Sequence, residues 1–216
     1  AFTDPIPGPD GSLIAFKGRP TDEPFYRGTR IGLIPVAGGE PIWATDGAEL
    51  DVDEFQWSNE AAKILFTAAN AGAVPLHAAS PATIEPIELV RIRDGLPSQV
   101  GRFAVGGDVI AWSESSSANP SVLRVRFDDV DRLVFDANPW LADRHVVRPT
   151  EGWVDRRDGR RIQYWQLPPL GLQPGGTAPM ILAIHGGPSA MWGPGEATMW
   201  LEWQLAASWG FGVVYC

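Results

Sequence analysis

The residues best suited to chemistry are His185, Gly186, Gly187 and Pro188, which close the apolar run Met180-Ile181-Leu182-Ala183-Ile184. Acyl transfer places negative charge on a carbonyl oxygen in its transition state. One fixed N–H aimed at that oxygen is worth about 3–4 kcal/mol. Glycine lets a backbone approach a substrate closely and adopt positive φ. The N–H of Gly187 is the expected oxyanion donor, Gly186 its permissive neighbour and Pro188 the residue that stiffens the turn. His185, Pro188 and Trp192 are candidates for contact with the substrate. Trp192 and Trp200 are also candidates to line an apolar pocket, although with ten tryptophans in the chain core packing is an equal alternative for each.

Other reactive side chains fit catalysis less well than this turn. Ala206-Ala207-Ser208-Trp209-Gly210 approximates a G-x-S-x-G nucleophile elbow. An elbow needs a strand before its serine and a helix after it. Here the order is reversed, and Ser208 is expected in the last turn of a helix. Ser189 follows the turn but has no sequence context that would activate it. His185 precedes the glycines, a poor place for a base that should come last in chain order. His77 and His145 have no partners in sequence. The acidic runs Asp51-Val52-Asp53-Glu54 and Asp128-Asp129-Val130-Asp131 lack the spacing of a calcium loop and are expected to be solvated turns. Arg91, Arg93, Arg124 and Arg126 alternate along predicted strands, where some could face a cavity and meet a peptide carboxylate.

The elements that must position the turn are legible as well. Asp158-Gly159 predicts a hairpin turn leading into an alternating strand over 160–167. A Pro- and Gly-rich loop follows over 168–179. The apolar strand 180–184 then enters the turn. A helix is predicted over 196–209, with Met199, Trp203 and Ala206 on one face, Glu196 in the first turn and Gly210 as its C-cap. A strand over 211–215 completes a βαβ unit in a parallel sheet.

The first two-thirds of the chain read differently. Turns followed by compact apolar strands recur at Pro9–Phe16, Asn59–Phe66 and Gly106–Trp112, with further short strands near 30–36 and 87–92. A period of roughly 40–50 residues with several short strands per unit predicts propeller blades, about three of them. A β-sandwich with coincidental spacing is the alternative. The expected fold is therefore mixed: a partial β-propeller over 1–145 and the first part of an α/β-hydrolase domain over 146–216.

Composition narrows the functional classes. Of 216 residues, 44% are apolar and 20% charged, enough to bury a core. A net charge of −9 argues against nucleic acid or an anionic membrane as partner. One cysteine gives no internal disulfide, and three scattered histidines give no zinc motif. No cofactor or metal is expected. The sequence opens on Ala1 and closes on an apolar strand, and so reads as an internal piece of a longer protein. The compartment is open, with cytoplasm favoured.

Three stretches, "DGRRIQYWQLPP", "PMILAIHGGPSAMWG" and "LAASWGFGVVYC", resemble the start of the catalytic domain of the prolyl oligopeptidase family, and its acylaminoacyl-peptidase-like branch most closely. The resemblance implies a β-propeller that restricts access to a serine peptidase acting on short peptides through an acyl-enzyme. It implies a peptide as partner and leaves a homo-oligomer of the full-length protein open. The family's triad residues lie downstream of the turn and map onto none of these residues, so the 216-residue chain is expected to be inactive alone. A carboxylesterase or lipase with the same core, and a non-catalytic propeller that binds proteins, are the alternatives.

Overall fold

A computed structural model describes residues 2–20, 22–23, 27–46, 50–58, 63–80, 83–187 and 190–216, with only the backbone of 83–89. Pro188, Ser189 and the predicted turn over 59–62 lie outside the described residues.

Three antiparallel sheets of four strands each follow one another along the chain. The first holds β1 (Thr3–Pro7), β2 (Leu13–Gly18), β3 (Arg30–Pro35) and β4 (Ile42–Trp43). The second holds β5 (Asp51–Trp57), β6 (Ile64–Ala69), β7 (Leu76–Ser80) and β8 (Thr83–Val90). A short hairpin, β9 (Ile92–Arg93) and β10 (Leu96–Pro97), leads to the third: β11 (Gln99–Gly106), β12 (Val109–Ser115), β13 (Val122–Phe127) and β14 (Val130–Asp136). The sheets open at Thr3, Asp51 and Gln99, an even spacing within the predicted period. In each, neighbours in sequence are neighbours in space, as in the blades of a propeller. The register slips at the same place in the first strand of each sheet, between Thr3 and Ile6, Val52 and Phe55, and Val100 and Phe103.

Burial explains why the strands differ in composition. Side chains alternate across a strand. In β6, Ile64, Phe66 and Ala68 pack with Ala15, Ile31 and Leu33 of the first sheet, while Leu65 packs with Val100, Phe103 and Trp112 of the third. The middle sheet is covered on both faces, so β6 is apolar but for the buried Thr67, whose hydroxyl oxygen accepts from the Glu54 N–H at 3.3 Å. Cross-links reinforce the stack: Trp57 Nε1–H donates to the Ile6 carbonyl at 3.1 Å, and Gln56 Nε2 donates to that of Phe103 at 2.9 Å. Of the two acidic runs expected to be solvated turns, Asp128 at φ +51° and Asp129 at φ +55° do close the exposed β13–β14 hairpin, with Asp131 already in β14, whereas Asp51 to Glu54 is not a turn but opens strand β5, with Val52 buried in the core.

A 3₁₀ turn (Pro139–Asp143) leads to a fourth sheet built from β15 (Thr150–Asp155), β16 (Arg161–Leu167), β17 (Met180–Leu182) and β18 (Gly212–Tyr215), in the order β15-β16-β18-β17. β17 and β18 are parallel, and α1 (Trp200–Ser208) lies between them in sequence. The rest of the sheet is antiparallel. The described chain is thus nearly all β, with less helix than the sequence reading expects. α1 begins at Trp200 rather than at Glu196. The Glu196 carboxylate instead accepts from the Thr198 N–H at 3.0 Å and hydroxyl at 2.6 Å, which favours a turn there. The other end is as predicted: Gly210 sits at φ +90°, its N–H donates to Ala207 and that of Phe211 to Ala206. This is a Schellman ending, which a residue without Cβ adopts at least cost. Trp203, Ala206 and Ala207 bury the inner face of α1 against Trp165, Val213 and Tyr215.

Candidate functional site

β17 ends at Leu182, and the Ala183 N–H extends its ladder by donating to the Val214 carbonyl at 2.8 Å. The chain then leaves the sheet. Ile184, Gly186 and Gly187 are exposed and His185 is half-buried. Gly187 stands at φ +151°, a backbone conformation that a side chain would strain. The turn therefore sits beyond the carboxyl end of a parallel strand pair, where open α/β sheets present their ligand sites.

His185 and Trp192, two of the predicted residues, are brought together. Their rings meet edge to face with centroids 5.6 Å apart at 69°. Trp192 in turn meets Trp203 at 5.4 Å and 74°, and Trp203 stacks on Tyr215 at 3.8 Å and 17°. The Trp192 N–H donates to the Cys216 carbonyl at 3.3 Å. An aromatic file thus runs from the turn into the core. Burial, with the Glu196 carboxylate as a lesser cause, pushes the Tyr215 phenol well above its usual range, so this ring is neutral. His185 Nδ1 lies 2.8 Å from the Gly186 carbonyl oxygen.

Trp200 does not join this group. It is buried, and its Nε1–H donates to the Ser117 carbonyl at 3.0 Å, tying α1 to the third sheet. Ser208 closes α1, its hydroxyl donating to the Leu205 carbonyl at 2.7 Å. His77 is buried with its ring stacked on Phe66, and His145 lines a separate groove of about 410 Å³ beside the 168–176 loop.

The arginines are also differently engaged from the expectation that some could meet a substrate carboxylate. Glu114, only 2% exposed, accepts from Arg93 Nε at 2.7 Å and Nη2 at 3.1 Å, from Arg124 Nε at 3.0 Å and from Trp112 Nε1 at 3.1 Å. Arg126 pairs with Asp131 at 2.7 Å, and Arg91 donates to the Asn70 carbonyl at 3.4 Å. The hydrogen bond to Glu114 raises the pKa of Arg93 above its usual range, against the opposing effect of burial.

Sequence reasoning missed the residues that pin the site loop to the blades. The Ser115 hydroxyl donates to the Gly195 carbonyl at 2.5 Å, and the Gly72 N–H donates to Met191 Sδ at 3.1 Å. A Cβ on Gly193 would lie 1.7 Å from the Gly72 carbonyl oxygen, and one on Gly195 would lie 2.7 Å from that of Ser115. The signal was present as two glycines in a loop with no turn requiring both, but their neighbours are about a hundred residues away in sequence. Among the described residues no group of three or more acidic, histidine or cysteine side chains could hold a metal ion, and no helix is long and apolar enough to cross a membrane.

No protein-family model matches the chain. It is 35% identical over 86 residues to the uncharacterized peptidase YuxL of Bacillus subtilis (strain 168), a match covering 39% of this chain and 13% of that protein. Among solved structures it superposes on an acylaminoacyl peptidase in complex with Z-Gly-Gly-Phe-chloromethyl ketone with a TM-score of 0.79 at 23% identity, covering 99% of this chain and 32% of that one. The acylaminoacyl peptidase of Pyrococcus horikoshii gives 0.78 at 24% identity over the same shares. The chain spans about a third of the structures it matches. Four-stranded sheets in series, a parallel pair ending in the His-Gly-Gly turn and this superposition together make the chain a structural match to 32% of an acylaminoacyl peptidase, of the prolyl oligopeptidase family.

Proposed function

We propose that this chain belongs to a propeller-gated serine peptidase that hydrolyses short peptides through an acyl-enzyme. On this reading residues 1–145 are propeller blades and residues 146–216 open an α/β-hydrolase domain. The observation that carries it is the superposition of 99% of the chain on an acylaminoacyl peptidase, with the Gly-Gly turn at the carboxyl end of β17. The Gly187 N–H stabilises the oxyanion, and Gly186 keeps the approach open. His185 and Trp192 face the bound peptide. The nucleophile, acid and base come from residues other than these.

The experiment is a comparison of acylated peptides, peptide amides and simple esters as substrates of the full-length protein carrying this chain. Peptide turnover is expected. A Gly187→Val variant is expected to lose kcat by about 10²-fold, the scale of one misplaced oxyanion donor. Ester turnover with no peptide turnover would instead favour an esterase.

A further inference from the structure

The chain crosses from the third sheet to the fourth through residues 144–149, which form neither helix nor strand, and Arg144, His145 and Arg148 there are exposed. Val147 differs: it is buried, in the core that holds Trp165 and Tyr215. A buried peptide group must find hydrogen-bond partners. For Val147 the partner is a side chain. The Val147 N–H donates to Gln204 Oε1 at 2.9 Å, and Gln204 Nε2 donates back to the Val147 carbonyl at 2.8 Å. One glutamine amide on α1 thus pairs with the crossing as a residue of a neighbouring strand would. The β9–β10 hairpin holds the next residue. Its two central residues, Asp94 at φ +53° and Gly95 at φ +79°, make the tight turn that suits a two-residue loop. The Asp94 carbonyl accepts from Arg148 Nη2, and Leu96 packs against the same core as Val147. The hairpin is itself fixed at its base: Arg93 is bidentate on the buried Glu114, and the Ser98 N–H donates to the Arg91 carbonyl at 2.9 Å.

We propose that residues 144–149 form a locked joint: Gln204 of α1 and the β9–β10 hairpin grip adjacent residues of the crossing, so that the third sheet, the crossing and α1 move as one body. The lock does not rest on the peptidase reading. It gives a task to a helical glutamine that uses both halves of its amide on one residue 57 positions away, and to a hairpin inserted between the second and third sheets. α1 also reaches the third sheet directly, through the bond from Trp200 to the Ser117 carbonyl. The helix is therefore tied to that sheet by two routes, one of which runs through the joint.

Hydrogen–deuterium exchange of the full-length protein carrying this chain tests the lock. In the parent the 144–149 segment is expected to exchange slowly despite its exposed side chains. Gln204→Ala leaves the buried Val147 peptide without partners and is expected to speed exchange there about tenfold or more, with the first two sheets unchanged. Arg148→Met removes the other grip without touching α1 and is expected to speed the same segment, and the double variant to exceed either alone. Gln204→Glu adds a readout that a general packing defect would not move. Its ionised carboxylate still accepts from the Val147 N–H but has no proton to donate to the carbonyl, and protonation restores that donor. The excess exchange of this variant over the parent at matched pH is therefore expected to shrink between about pH 7 and about pH 4, as a carboxyl with an ordinary pKa of about 4.3 takes up its proton. Fast exchange of 144–149 in the parent, no change in either single variant, an equal rise over the whole chain, or an excess in Gln204→Glu that does not fall with pH would overturn the lock. If Gln204→Ala does not fold, the other two variants still decide it.

Discussion

Glu114 brings a formal charge into the interior, where it is almost wholly buried. It is compensated there by Arg93 and Arg124, with the Trp112 indole completing its shell. A buried charge left without its partner costs about 3–5 kcal/mol. Glu114→Gln, which leaves two guanidinium groups facing a neutral amide, is expected to lower stability by an amount on that order. Urea unfolding measures it, and a loss below about 1 kcal/mol would mean that the arginines turn out to water instead. The sequence showed the arginines but not their partner. Arg124 lies opposite Trp112, one strand away from Glu114, and Arg93 comes from the hairpin between the second and third sheets. Only the strand register makes one carboxylate common to both. The Gly187 backbone, by contrast, was legible because its demand is local: the residue needs positive φ, and its type says so.

At the scale of elements, strands and turns were read more accurately than the loop from 190 to 199. The 160–167 strand, the reversal at Asp158-Gly159 and the stop at Gly210 rest on patterns a few residues long. The start of α1 did not, because Glu196 satisfies Thr198 locally and delays the helix until Trp200. The loop depends on distant partners. Gly193 approaches Gly72 so closely that any Cβ must push the two backbones apart. Gly193→Ala is therefore expected to cost at least about 2 kcal/mol, the scale of overpacking in a rigid site. Gly106→Ala is the control, since among the described residues nothing beyond its chain neighbours lies within 4 Å of its Cβ position, and should stay within about 0.5 kcal/mol of the parent. Thermal unfolding of the pair decides it; equal shifts would show that the loop can give way.

For the molecule as a whole, the stack of sheets is unequal. The middle sheet is covered on both faces, whereas β14 displays Leu133, Val134 and Phe135, with Phe135 61% exposed and paired directly with the exposed Leu123. An exposed apolar strand is a template for association. The 216-residue chain is expected to self-associate, and the pair Leu123→Glu with Phe135→Lys to reduce this by placing opposite charges across the ladder. Light scattering against concentration measures the change; no reduction would locate the contact elsewhere. The pins on the site loop carry a consequence in time. Each of the first three sheets closes from strands adjacent in sequence, so each can form as soon as it leaves the ribosome. The bonds from Ser115 to Gly195 and from Trp200 to Ser117 instead span 80 and 83 residues. Such closures come late in folding. The loop after the Gly186-Gly187 turn is therefore organised only once the third sheet is complete, and a half-made chain leaves that loop without its pins.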